Sequence, residues 1–344
     1  MKPGILVFLF TALYLIGCSE DSFLNNVDEI IDNSRVEALS NRENNLWIYN
    51  QMRYHYYWNT EMPDSSRLDF TIEPAKFFTS LLSTKDRFSW CEVNSTYQTR
   101  GVNQGSTVSF DSVYVYGNLK IGYAIYDQFD DNADIRSFAV RMKKAKIDEM
   151  ILDLRYNPGG YVSTCNELAS FFVPTEHLGK LYQQQYYNKT ITKEKAEKYH
   201  NNGVDSVYLK SGHWYELWGL NLKRLIVLST KNTASSSEAL VVGLRPYMDV
   251  IVIGTQTHGK DVGSYTIVDN NYKYLLQPIT FKYYNSKMES TPENGIVPDV
   301  IIEDDKKEKR GNVNEALLKA ALKYIEDNPE LDYPIKPIIP PLIH

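Results

Sequence analysis

Asn232-Thr233-Ala234-Ser235-Ser236-Ser237-Glu238 is the stretch on which the reading of this chain turns. Ahead of it, Leu225-Ile226-Val227-Leu228 has the length and branching of a buried strand. Behind it, Ala239 to Tyr247 holds no strong breaker until Pro246, so a helix is expected to begin near Ser235. A serine on such a strand-to-helix turn lifts its hydroxyl out of the sheet. The free N–H groups of the helix start lie behind it, where they can hold a developing oxyanion. The chain then returns through Val250-Ile251-Val252-Ile253 and reaches Gly259-Lys260, the lysine 25 residues after Ser235. Burial disfavours an ammonium, so a lysine in a desolvated pocket can act as general base. Ser235 and Lys260 are therefore a candidate dyad, to be set against a plain helix-capping serine and a solvated lysine.

A second stretch, Asp153-Leu154-Arg155-Tyr156-Asn157-Pro158-Gly159-Gly160, follows the apolar run Met150-Ile151-Leu152 and leads into a helix-like segment. The order and spacing of the glycine turn, the serine motif and the Gly-Lys pair resemble the carboxy-terminal processing (tail-specific) serine peptidases. The resemblance runs from about Thr107 to Asp305. It implies an α/β fold with a ClpP/crotonase-like peptidase core and a small N-terminal helical subdomain. It also implies a polypeptide substrate, with no cofactor and no metal. Ser235 would attack, Lys260 would take its proton, and Glu238, one helical turn beyond Ser235, would orient the lysine. An ionised Glu238 against Lys260 would raise the lysine pKa, the wrong direction for a base. The oxyanion hole would combine the Ser236 N–H with that of Gly159 or Gly160, the choice between them left open. Arg155 and Asn157 read as turn and packing residues. His258, two residues before Lys260, is the alternative base.

The match has departures. Relatives carry a PDZ domain between the N-terminal helices and the core, but here only the polar stretch Asn94 to Ser106 is available. Recognition is then expected to fall to the core groove, edged by the insertion from Thr175 to Gly219. Some members place an acidic residue eleven after the serine, where this chain has Pro246, and a glutamine four after the lysine, where it has Ser264.

The 344 residues, 43% of them hydrophobic, can bury one large core and a smaller accessory domain. A net charge of −6 offers no footprint for nucleic acid. Lys2 followed by apolar Ile5 to Ile16 reads as a signal peptide ending in Leu15-Ile16-Gly17-Cys18, which resembles a lipobox. Residues 1–17 would be removed and Cys18 lipidated, attaching the protein to the membrane of the bacterial cell envelope as an outer-membrane lipoprotein. Residues 18–43 read as a tether, 44–92 as the helical subdomain, 93–106 as a short linker, 107–328 as the core and 329–344 as a proline-rich tail. Cys91 and Cys165 form no disulfide framework, and no motif places a histidine to serve either as a nucleophile. Tyr272 to Leu276 and Ile279 to Tyr284 read as paired strands, and Asn314 as the cap of a C-terminal helix. Two other functions compete: a non-catalytic peptide- or ligand-binding lipoprotein on the same core, and a glycan-binding surface lipoprotein using the many aromatic residues.

Overall fold

From Glu20 to His55 the sequence contains neither glycine nor proline, and the stretch forms one 36-residue helix, α1. The segment expected to be a tether is thus helical from Glu20 onward, because nothing in it breaks the backbone pattern. The computed structural model describes residues 20–93, 107–130, 134–269 and 274–328. The expected signal peptide with Cys18, the expected linker 93–106 apart from Val93, which ends a strand, and the proline-rich tail lie outside the described residues.

After α1 come helix α2 (Pro74–Ser80) and strand β1 (Trp90–Val93), then β2 (Val108–Tyr116) and β3 (Leu119–Tyr126). The core continues with α3 (Ile135–Ala145), β4 (Glu149–Asp153) and α4 (Val162–Phe172). The insertion holds β5 (Leu181–Tyr187), α5 (Lys189–Tyr199), β6 (Asp205–Tyr208) and the short α6 (His213–Trp218). Next are β7 (Arg224–Ser229), α7 (Ser236–Leu244), β8 (Asp249–Gly254), β9 (Val262–Ser264), β10 (Ile267–Val268), β11 (Tyr274–Gln277) and β12 (Ile279–Tyr284). Strand β13 (Val300–Ile301) and helix α8 (Ala316–Asp327) follow.

The central sheet has six strands in the order β13-β8-β7-β4-β3-β2, parallel except for the β2 edge. Its inner strands are apolar on both faces, as a sheet covered by helices on both sides requires. Leu152, Val227 and Val252 point into one core with Phe138 of α3, Leu168 of α4 and Leu240 of α7. Ile151, Ile226 and Ile253 point the other way, onto Leu317, Leu318, Ala321 and Ile325 of α8. Helix α8 is capped by Glu315, whose carboxylate accepts from the N–H groups of Leu317 and Leu318. Asn314, the expected cap, lies one residue too early.

Two smaller sheets complete the fold, β1-β11-β10 and β6-β5-β12-β9. Strands β11 and β12 are consecutive but belong to different sheets, so they do not pair with each other. Pro278 between them has no N–H to continue a ladder. The N-terminal helices are not a self-contained unit. Ile48, Met52, Tyr56, Phe77 and Phe78 share one buried cluster with Val262, Leu276 and Ile279 of the core, and β1 pairs along β11.

Candidate active site

Strand β4 and strand β7 run side by side, and the turns at their C-terminal ends are bonded to each other. The Thr233 hydroxyl donates to the Leu154 carbonyl at 2.8 Å, and the Thr230 hydroxyl donates to that of Arg155. The Asn157 carbonyl accepts from the Ala234 N–H and from the Ser237 hydroxyl, both at 3.1 Å. Ser236 closes the set by donating to the Gly160 carbonyl at 2.7 Å. The glycine turn and the serine turn are therefore one rigid piece. Beneath it, buried Arg155 forms ion pairs with Asp153 at 2.9 Å and Glu315 at 2.7 Å. That ties the turn to the cap of α8.

Ser235 sits at the head of α7 with φ +57° and ψ −117°, a backbone state that side-chain-bearing residues rarely adopt. Gly159 packs directly beneath it. A Cβ there would stand 2.7 Å from the Ser235 Cβ and 2.9 Å from the Ser236 nitrogen. The two glycines differ in one respect that sequence left open. The Gly159 N–H is taken by the Asn157 side-chain oxygen at 2.8 Å, whereas no described group accepts from the N–H of Gly160 or of Ser236.

Lys260 follows β8 on a loop that Glu238 organises. One carboxylate oxygen of Glu238 accepts from the Thr257 hydroxyl and from the Gly259 N–H at 2.7 Å. The other accepts from the N–H groups of Ser235 and Lys260, both at 2.9 Å. Glu238 is fully buried, and burial pushes its pKa up against the pull of those hydrogen bonds. Glu238 holds the backbone of Lys260, and no salt bridge joins it to the ammonium. Glu238 thus orients Lys260 through the lysine's backbone N–H, its carboxylate being engaged by other donors. Burial lowers the Lys260 pKa, with the charges of Asp86 and Glu238 opposing.

Ser235, Ser236, Lys260, Gly159 and Gly160 line one cavity of about 780 Å³. Its farther walls come from Gln183 and Gln185 of β5, from Gly263 and Ser264 of β9 and from Phe281 of β12. His258 is not part of this lining. It is exposed, and its ring packs on Phe88, centroids 5.7 Å apart. Ser264 lies in the cavity wall, and Pro246 just beyond the end of α7. Cys165 is buried under Ser236, donating to its carbonyl at 3.1 Å, and burial pushes the thiols of both Cys165 and Cys91 up to about 12. Neither is a thiolate at neutral pH.

Sequence reasoning missed the contribution of the N-terminal segment. Arg87 donates to the Gly259 carbonyl at 2.6 Å and to that of Glu293 at 3.0 Å. The Phe88 ring lies 5.4 Å from the Lys260 Nζ. These residues stand some 170 positions from Lys260, and no local motif marks them.

A model of peptidase family S41 matches residues 120–302, more than half of the chain, and a model of the S41 N-terminal domain matches residues 43–90. The chain belongs to peptidase family S41. A curated relative from Bartonella bacilliformis, "Carboxy-terminal-processing protease", is 28% identical over 62% of this chain and 46% of its own length. A second, "Probable CtpA-like serine protease" of Staphylococcus epidermidis, is 25% identical over 61% of this chain and 41% of its own. The chain thus spans under half the length of these S41 relatives. Among solved structures, a "Putative S41 protease" from Bacteroides fragilis superposes with a TM-score of 0.72 at 19% identity. That match covers 83% of this chain and 98% of the other, and it establishes the shared α/β fold of the S41 core.

Proposed function

We propose that this S41 chain is a serine endopeptidase that hydrolyses extended polypeptides through Ser235 and Lys260. The observation that carries the reading is the convergence of four features on one cavity. They are a serine in a strained elbow, a lysine with a lowered pKa, and two N–H groups without acceptors, those of Gly160 and Ser236. Neutral Lys260 takes the proton of the Ser235 hydroxyl as its oxygen bonds to the scissile carbonyl carbon. The carbonyl oxygen becomes an oxyanion held by the two N–H groups. The lysine ammonium then protonates the leaving amine, and water, deprotonated by the same lysine, releases the acyl group. Gly159 gives the elbow room to form, and Glu238 fixes the loop that brings Lys260 in. Groove walls of β9 and β5 favour an extended chain bound through its backbone.

The anchor is part of the same proposal. Leu15-Ile16-Gly17-Cys18 closes an apolar run behind Lys2, which supports a lipidated Cys18 and an envelope location at the outer membrane. A mass spectrum of the mature N-terminus tests that step, and an unmodified terminus downstream of Cys18 refutes it. For the chemistry, a fluorophosphonate probe should label wild type and fail to label Ser235→Ala. Lys260→Ala should lose labelling as fully, and the double variant should lose no more, because the pair acts as a unit. Labelling of Lys260→Ala at the wild-type rate, with loss in His258→Ala, would transfer the base to histidine.

A further inference from the structure

One wall of the cavity is built from glutamine, where a buried strand ordinarily holds apolar residues. Gln183, Gln185 and Tyr187 stand at alternate positions of β5, so they share one face, and all three are buried. Both glutamines line the cavity. Two contacts set them between the proposed catalytic partners. Tyr182, next to Gln183, donates to the carbonyl of Ala239 at 3.2 Å, one helical turn past Ser235. Gln185 is paired across the sheet with Tyr283 of β12, whose hydroxyl donates to the Lys260 carbonyl at 3.1 Å.

The two amides are held in a row but not used up. The Gln185 Oε1 accepts from the Tyr187 hydroxyl at 2.9 Å, and its Nε2 donates to the Gln183 Oε1 across a long 3.4 Å. The Gln183 Nε2 has no acceptor among the described residues and is not sealed from the cavity. Aromatic rings surround the row: that of Phe281 lies 5.9 Å from the Tyr187 ring and 5.6 Å from the Tyr265 ring. Of the described residues lining the cavity, Asp130 and Lys260 alone carry charge. Asp130 stands beside the glycine turn, next to Phe129, which bridges Gly160. Asp205, behind Tyr187 at 2.8 Å, is neutralised by Lys195 at 2.7 Å.

We propose that Gln183 and Gln185 determine specificity, selecting polypeptides that place an amide side chain, glutamine or asparagine, beside the scissile bond. This rests on the Ser235/Lys260 reading above and names its substrate class. An amide carries both a donor and an acceptor, so it complements the free end of Gln183 whichever way that group is turned. Its methylenes suit the neighbouring aromatic rings. An aliphatic chain of equal length would cover the two amides without pairing them, which is costly for buried polar groups. A lysine or glutamate would surrender its hydration to neutral partners.

The test offers the full chain an equimolar mixture of extended peptides. Their central residue is glutamine, methionine, glutamate or lysine, their flanks are degenerate, and mass spectrometry identifies the cleaved bonds. Glutamine should exceed methionine by about tenfold at one of the two positions adjoining the cut, with glutamate and lysine lower still. In Gln183→Leu that ratio should fall to one or below, and Gln185→Leu should lower it as well. Each value is a ratio within one sample, so loss of folded protein cancels. Methionine used as well as glutamine by wild type overturns the proposal. So does a glutamine preference that survives in both variants. A plain fluorophosphonate on the same wild-type sample separates the two readings. Labelling of Ser235 without a glutamine preference, or without any cleavage, strikes this proposal alone. Absence of both labelling and cleavage strikes the peptidase reading and this one with it.

Discussion

Glu238→Gln removes one charge and almost no volume, yet it should damage both stability and activity. The carboxylate serves four donors: the Thr257 hydroxyl and the N–H groups of Gly259, Ser235 and Lys260. A glutamine has one acceptor oxygen, so its NH₂ must face two of those donors. Turned toward Ser235 and Lys260, it orphans both N–H groups. Turned toward Thr257, it is tolerable only if that hydroxyl reverses, and the hydroxyl oxygen already accepts from the Ile296 N–H at 2.7 Å. Gly259 is then left unpaired. One orphaned buried donor and one lost charge-assisted bond amount to about 2–4 kcal/mol. Relief of the buried charge offsets part of this, since burial raises the Glu238 pKa, which leaves about 1–3 kcal/mol. Urea unfolding at pH 7 measures that loss as a lower midpoint at constant slope. Labelling at the same pH should fall by at least tenfold, because the loop that carries Lys260 loses its anchors and a displacement near 1 Å is expensive in rate. An unfolding free energy within about 0.5 kcal/mol of wild type, with unchanged labelling, would show that Glu238 does not hold this loop.

Lys260→Met should stabilise the protein at pH 7, because burial disfavours the ammonium that the folded chain must hold there. The sign follows from burial: the folded pKa lies below the ordinary 10.5, so between the two values the unfolded chain binds more protons and stability rises with pH. The advantage of methionine should shrink toward pH 10.5, and urea titrations at several pH values check it. Gly159→Ala should abolish labelling and lower the melting temperature, since its Cβ would meet the Ser235 Cβ at 2.7 Å on a backbone of φ +107°. Wild-type labelling in that variant would mean that the elbow is looser than the contacts require.

The central sheet was readable because β4, β7 and β8 are short runs of branched apolar residues, each ended by a turn signal. Ser235, Lys260 and the two glycines were singled out because each lies in the loop that follows such a run, and the structure brings them to one cavity. What stayed hidden was decided by distant partners. Lys189 to Tyr199 is mostly polar and shows no apolar face, so α5 left no periodic trace in the insertion. The assignment of β11 and β12 to different sheets depends on β1 and β5, which no local pattern reveals. Sequence could name Glu238 but not the atoms it would hold, because a carboxylate near a lysine reads as an ion pair until the backbone N–H groups are placed. Arg87 and Phe88 carried no signal at all, being ordinary turn residues until the chain closes over Lys260.

The pairing of Trp90 with Gln277 sets a clock on this protein. A ribosome adding about 5–20 residues per second needs roughly 10–40 s to travel from one strand to the other. For most of that interval Phe77, Phe78 and Met52 have no apolar partner from β9, β11 or β12 to cover them, and Arg87 has no Gly259 carbonyl to grip. The nucleophile elbow is made earlier, but the base is rigged only when the last core strands emerge and the first helices come back to meet them. A half-made chain is therefore a cutting tool without its trigger. The long return of the chain leaves the proposed Ser235/Lys260 pair incomplete while the protein is still being synthesised.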